Sequence, residues 1–227
     1  MIRIENVSKQ IGSKMILENI TLTVGKGEIL GLIGPNGAGK TTLLSLLSTT
    51  EKVEDGEIWI GECSLRKNVK KARRKIGYVP QEIALYPSLS VFDNVTFWAK
   101  MLQIKQTKVT ELVRLLQLDD FLHEKVDRLS GGYKRRVNIA VALLHEPEVL
   151  LMDEPTVGMD LYSKKDLLPF IKHVSKQGTT IVFTSHDVDE MLYLADRIAM
   201  LEQGKLIFDG SVDQAKKEIA ILQGLNS

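Results

Sequence analysis

The sequence predicts an α/β fold with a mostly parallel sheet, and a few patterns along its 227 residues predict it. Continuous apolar runs at Ile29–Ile33, Val149–Met152, Thr180–Thr184 and Ile198–Leu201 fit strands covered on both faces. Helical stretches at Lys164–Lys176 and Val188–Ala195 separate the later runs, which is the βαβ rhythm of such folds. Segments that alternate apolar and polar residues, Met1–Val7, Ile16–Val24 and Glu57–Ile60, fit half-buried strands of an antiparallel sheet near the N-terminus.

In chain order, Gly25-Lys26-Gly27 turns the second alternating strand into the run Ile29–Ile33. Gly34-Pro35-Asn36-Gly37-Ala38-Gly39-Lys40-Thr41-Thr42 follows and fits GxxxxGKT, the phosphate-binding loop. Leu43, Leu44, Leu46 and Leu47 then continue at helical spacing. The loop therefore lies between a strand and a helix N-terminus, where its mechanism requires it. Its glycines allow backbone angles closed to other residues, so amide N–H groups can turn inward around a phosphate. The positive end of the helix dipole favours the same anion. Lys40 is placed to reach the terminal phosphates and the Thr41 hydroxyl to ligate Mg²⁺.

Asp55-Gly56 introduces the strand Glu57–Ile60, and the basic run Lys70–Lys75 reads as a solvated face. From about residue 82 to 145 the pattern is helical. Ser90 with Asp93 marks a helix start, and Val91, Val95, Trp98 and Leu102 continue one face. Thr110–Leu118 reads as a second helix, and Ser130 starts a third that carries Val137, Ile139, Ala140 and Leu143. Strand patterns resume afterwards, so the block is expected to be an insertion. The expected organisation is a single domain over 1–227, with an α/β core from 1–81 and 146–227 and a helical subdomain over about 82–145.

A phosphate loop needs a partner acid. Val149-Leu150-Leu151-Met152 runs into Asp153-Glu154, a buried strand ending in adjacent carboxylates. Asp153 is expected to hold Mg²⁺ and Glu154 to polarise an attacking water, a role that contributes roughly 10²–10⁴-fold in rate.

Bulk composition excludes several classes. A net charge of +1 gives no electrostatic case for nucleic acid. A single cysteine, Cys63, excludes an intrachain disulfide and fits a reducing compartment. Residues 1–30 carry charges throughout and lack the apolar core of a secretory signal. No apolar run approaches the roughly 20 residues that span a bilayer. A soluble chain that meets the membrane only through a partner is expected.

Leu129-Ser130-Gly131-Gly132-Tyr133 lies a short helix ahead of Asp153 and makes a second anion-binding helix N-terminus. Here the chain resembles the ATP-binding-cassette (ABC) ATPases, whose signature is usually LSGGQ. The resemblance runs from about Ile2 to Gly210 and implies a P-loop NTPase core with an N-terminal antiparallel β subdomain and an inserted helical subdomain. Gln81, after Gly77-Tyr78-Val79-Pro80, matches the family's glutamine that reaches Mg²⁺ or the attacking water. Val157-Gly158-Met159-Asp160 matches the loop at the dimer seam, and His186 the switch histidine near the γ-phosphate. The resemblance also implies ATP hydrolysis by two cassettes facing head to tail. Lys40, Asp153 and Glu154 would come from one, and Ser130, Gly131 and Gly132 from the other, as a homo- or heterodimer.

Two departures stand out. Many relatives carry an aromatic residue near Ile11 to stack on adenine, and here Ile11-Gly12 occupies that place. Tyr133 replaces the usual glutamine of the signature. The stretch Gln81–Ser90 lies where family members dock a cytoplasmic helix of a membrane permease. With Tyr133-Lys134-Arg135-Arg136, it is similar to the bacterial export branch. The resemblance thus implies an ATP-hydrolysing subunit that drives translocation, in the export direction of that branch, through a separate transmembrane subunit, peripheral on the cytoplasmic face of the membrane. The competing class is a soluble ABC ATPase acting on ribosomes or DNA. One cassette and no long heptad insertion speak against it.

Overall fold

A computed structural model describes residues 1–217 of the chain. Strands β1 (Ile2–Ile11) and β2 (Lys14–Val24) form an antiparallel hairpin, and β3 (Ile29–Ile33) leads into the glycine-rich loop and α1 (Lys40–Leu47). Then come β4 (Asp55–Ile60), β5 (Cys63–Ser64), α2 (Val69–Arg73) and β6 (Ile76–Val79). Helices α3 (Val91–Met101), α4 (Gln106–Leu115) and α5 (Gly131–Leu143) make up the helical block. The chain continues through β7 (Val149–Met152), α6 (Leu161–Lys176), β8 (Thr180–Thr184), α7 (Val188–Leu194), β9 (Arg197–Glu202) and β10 (Lys205–Ser211).

Two sheets result. One is antiparallel, in the order β2-β1-β4-β5; the other runs β10-β9-β3-β8-β7-β6. In the second, β9, β3, β8, β7 and β6 are parallel to their neighbours, and β10 pairs antiparallel with β9 at the edge. The α/β expectation and the N-terminal antiparallel part both hold.

Period-2 alternation splits the apolar strands between two cores. Phe183, Leu150, Met152 and Ile198 face the layer of α3–α7. Leu30, Leu32, Leu151, Val182 and Leu201 face α1 and the antiparallel sheet. Strands apolar on both faces are what such a two-sided burial demands.

Some elements differ from the sequence reading. The basic run forms the short helix α2, with Ala72 buried and Arg73 Nε donating to Thr49 Oγ1 at 2.7 Å. Helix α4 begins at Gln106, four residues before Thr110, with Lys105 as an N-cap that supplies no side-chain hydrogen bond. Helix α6 begins at Leu161, because Asp160 caps it by accepting the Ser163 N–H at 2.9 Å. At the edge, β10 closes the parallel sheet as an antiparallel strand.

Candidate active site

Strand order explains how distant motifs meet. Neighbours β3, β8, β7 and β6 are parallel, so their carboxyl ends lie along one edge, the usual site of ligand crevices in open α/β sheets. The glycine loop follows β3, Ser185-His186 follows β8, Asp153-Glu154 follows β7 and Gln81 lies two residues beyond β6.

The loop itself is shaped by its glycines. Gly39 caps α1 at φ 104°, and a Cβ there would meet Leu17 Cδ2 at 2.6 Å and Ile16 O at 2.9 Å. Glycine, which has no Cβ, fits that left-handed position against the β2 backbone, where an L-residue would clash. Lys40 is folded over the loop, with Nζ donating to Gly34 O at 2.7 Å and Pro35 O at 3.1 Å. Burial lowers the Lys40 pKa, while the Glu154 and Asp153 carboxylates pull it back up. Pro35, Asn36, Gly37 and Thr41 are exposed along the loop, and Ala38 is buried beneath it.

Asp153 is 3% exposed at the end of β7. Its Oδ1 accepts from Thr184 Oγ1 at 2.6 Å, and the same hydroxyl oxygen accepts the Glu154 N–H at 2.9 Å. Register accounts for this, since Met152 sits opposite Phe183 in the β7–β8 pair. One threonine thus fixes both acids. Glu154 sits at φ 48°, an uncommon conformation for a non-glycine residue. It turns the carboxylate toward the crevice, where Oε2 accepts from Gln81 Nε2 at 3.1 Å and Oε1 lies 2.8 Å from His186 Nε2. Gln81, Glu154 and His186, far apart in sequence, are therefore in direct contact.

The signature lies on a different surface. Ser130 N-caps α5 through the Tyr133 N–H at 3.5 Å. A Cβ on Gly132 would meet Ser163 Oγ at 2.7 Å, so glycine lets α5 pack against the start of α6 beside Asp160. Ser130 and Gly131 stay exposed. Ile11, at the tip of the β1–β2 hairpin, is 56% exposed.

Three residues to which the sequence reading gave no part in the site belong to this framework. Thr184 is one. Arg135 is another: buried in α5, it donates to Pro80 O and Gln81 O, each at 2.6 Å. The third is Glu190 in α7, bonded to Thr156 and Ser185. Only Thr184 left a sequence signal, as a polar end to an apolar strand.

A groove of 840 Å³ runs beside the Gln81 loop, lined by Tyr78, Pro80, Trp98, Met101, Asn138 and His145 among others. Trp98 Nε1, Asn138 Nδ2 and His145 Nδ1 are buried there without hydrogen-bond partners among the described residues. Tyr86, Leu89, Phe92, Phe97 and Leu102 are exposed on the same block.

The family model described as ABC transporter matches residues 17–157. The chain belongs to the ABC transporter family. It is similar to the linearmycin resistance ATP-binding protein LnrL of Bacillus subtilis (strain 168), 41% identical over 215 residues, covering 93% of this chain and 69% of that one. It is also similar to a probable sulfate/thiosulfate import ATP-binding protein, CysA of Chlorella vulgaris, 40% identical over 218 residues, covering 94% and 92%. Among solved structures, the dimeric ATP-binding cassette MJ0796 bound to ADP and Pi superposes with a TM-score of 0.83 at 28% identity, covering 93% of this chain and 99% of that one. The cbiO1 subunit from Clostridium perfringens superposes at 0.87 and 27% identity, covering 99% and 94%.

This ABC chain is therefore an ATP-binding subunit and an ATP hydrolase of the transporter type. The relatives include import and resistance proteins alike. Among the described residues, no helix is long and apolar enough to cross a membrane.

Proposed function

We propose that this chain drives export through a separate transmembrane subunit, working in a pair of cassettes on the cytoplasmic face of the membrane. The observation that carries the reading is the contact of Gln81 and His186 with Glu154. It joins the edge of the helical block, the switch loop and the acid at the end of β7 in one cluster facing the phosphate loop.

Residues 34–42 cradle the phosphates through backbone N–H groups, and Lys40 exchanges its loop carbonyls for phosphate oxygens. Glu154 takes the proton of the attacking water, with Gln81 and His186 holding that water and the γ-phosphate in line. The oxygen donors of Thr41, Asp153 and Gln81 are hard ligands of the kind Mg²⁺ prefers. Among the described residues no group of three or more His, Cys, Asp or Glu side chains could hold a metal, which fits an ion bound largely through nucleotide phosphates. When bound, Mg²⁺ neutralises charge developing on those phosphates.

Ser130, Gly131 and Gly132 complete the site of a second cassette, whose own signature completes this one, with Asp160 at the seam. The exposed N-terminus of α5 supports this arrangement, since its anion-binding end is open. Ile11 contacts adenine without a stacking ring. The helical subdomain, about 82–145, moves against the core formed by 1–81 and 146–227. The groove beside Gln81 receives a cytoplasmic helix of the transmembrane subunit, and its unpartnered polar atoms and exposed aromatics support that role. Similarity to a resistance protein supports outward transport.

Recovery of the chain with an integral membrane protein after mild detergent extraction is expected. So is ATP-dependent loading of cargo into inside-out vesicles. Recovery only with ribosomes or DNA, or ATP-driven depletion of vesicle cargo, would contradict the proposal.

A further inference from the structure

We infer that Glu190 is a positioning residue that ties the loop leading to Asp160 to the loop carrying His186, so that the two move as one unit. This inference rests on the paired-cassette reading for its meaning at the seam.

Glu190 lies in the first turn of α7 and is 3% exposed. Its Oε2 accepts from the hydroxyl of Thr156, and from Ser185 Oγ at 3.1 Å. Thr156 lies two residues after Glu154, on the way to Asp160; Ser185 directly precedes His186. One buried oxygen atom thus binds both loops. The other, Oε1, is buried without a partner among the described residues. Burial raises the pKa of this carboxyl, and its bonds to Thr156 and Ser185 oppose the rise.

A group so placed is costly unless its bonds compensate. An apolar residue would fill the same volume without that cost, yet would leave the hydroxyl protons of Thr156 and Ser185 without this acceptor. The link is therefore the feature for which an acid is needed here.

A second link joins the same elements: Lys164 Nζ donates to Asp187 Oδ2 at 2.8 Å. The Asp187 side chain is 41% exposed, and such surface pairs contribute little and are screened by salt. The buried Glu190 link is the firmer of the two. Between the loops lies a cavity of 230 Å³ lined by Glu154, Thr156, Lys164, His186, Asp187 and Glu190. Without the link, each loop has room to shift independently. His186 would then lose its register with Glu154.

The test compares steady-state ATP turnover, ATP affinity by calorimetry and ATP-driven dimer formation. Glu190→Ala and Thr156→Val should each lower kcat on the order of 10- to 100-fold, the scale of a small misplacement of a reacting group. ATP affinity should be unchanged in both. Glu190→Gln keeps one carbonyl oxygen for both hydroxyls and should restore most of the rate. In a Glu154→Gln background, Glu190→Ala should still double in mass with ATP, because the seam forms while its signal to His186 is cut. Thr156→Val covers the case in which Glu190→Ala does not fold. Wild-type turnover in Thr156→Val, equal losses in Glu190→Gln and Glu190→Ala, or loss of ATP affinity along with turnover in Thr156→Val would overturn the inference. If Glu154→Gln alone stays monomeric with ATP bound, the paired-cassette reading fails. The turnover comparison then still decides whether Glu190 positions His186.

Discussion

Arg135 donates to the carbonyl of Gln81 at 2.6 Å, so the helix opened by Ser130 is clasped to the loop whose side chain touches Glu154. The other guanidinium nitrogen holds Pro80 O at the same distance. The contact is two-pronged, so α5 and the backbone at Pro80 and Gln81 are held in a fixed relation. Lysine's ammonium is a point charge on a flexible stem and lacks the planar, pre-organised fork that meets both carbonyls from two separate nitrogens.

Arg135→Lys should therefore lower both stability and turnover. Hydrogen bonds to a charged group contribute about 1.5–3 kcal/mol each. Lysine stays charged and can keep one of the two bonds, so the expected net loss is that of the other, about 2 kcal/mol. Chemical denaturation checks the first effect and steady-state ATP hydrolysis the second. An unchanged midpoint with wild-type kcat would remove the clasp from the account.

Glu154→Gln should preserve ATP binding and lower turnover by roughly 10²–10⁴-fold, the range for loss of a general base. Glutamine keeps an oxygen and a nitrogen within reach of Gln81 and His186, so the geometry survives while the basicity is lost. Single-turnover hydrolysis measures this. A rate near that of the wild type would remove Glu154 from the base role.

Ile11→Tyr should tighten ATP binding. Stacking a base on an aromatic ring is worth roughly 1–3 kcal/mol, whereas Ile11 offers only an exposed aliphatic side chain. ATP and GTP titrations of both proteins are the check. The variant should gain on the order of tenfold for ATP, and equal ATP affinity in the two would discard Ile11 as the adenine contact.

His145 sets a pH dependence of stability. Burial lowers its pKa from the ordinary value, with only partial opposition from the hydrogen bond to Ile76 O. A depressed histidine binds its proton more readily in the unfolded chain. Its contribution is present above about pH 6.5, the unfolded value, and is lost as pH falls from there through the folded pKa. The melting temperature should therefore drop below about pH 6.5. His145→Gln should show a shallower drop; an identical pH profile would contradict the assignment.

Much of this site was legible because phosphate chemistry leaves local marks. The glycines and Lys40 lie in one contiguous stretch, and Asp153-Glu154 ends an apolar strand, so each could be read without knowing its neighbours. Strand order and register could not be read in that way. Thr184 matters because β8 lies beside β7, and Arg135 because α5 crosses the Gln81 loop. Glu190 reads in sequence as one acid among several at the start of α7. Helix starts followed that division in part, since α6 begins at Leu161 behind the Asp160 cap and not at Lys164. Ser90 and Ser130 are caps with side-chain bonds and were legible. Lys105 caps α4 without one, so nothing local marks where that helix begins.

In the proposed pair of cassettes, the Gly34–Thr42 loop is half of a site, completed by Ser130-Gly131-Gly132 of the other cassette. The most direct measurement is the solution mass of Glu154→Gln by light scattering, with and without ATP, beside the same protein carrying Ser130→Arg. The account predicts an ATP-dependent doubling of mass that Ser130→Arg abolishes while ATP still binds. A monomeric mass at saturating ATP, or a dimer indifferent to Ser130→Arg, would contradict it.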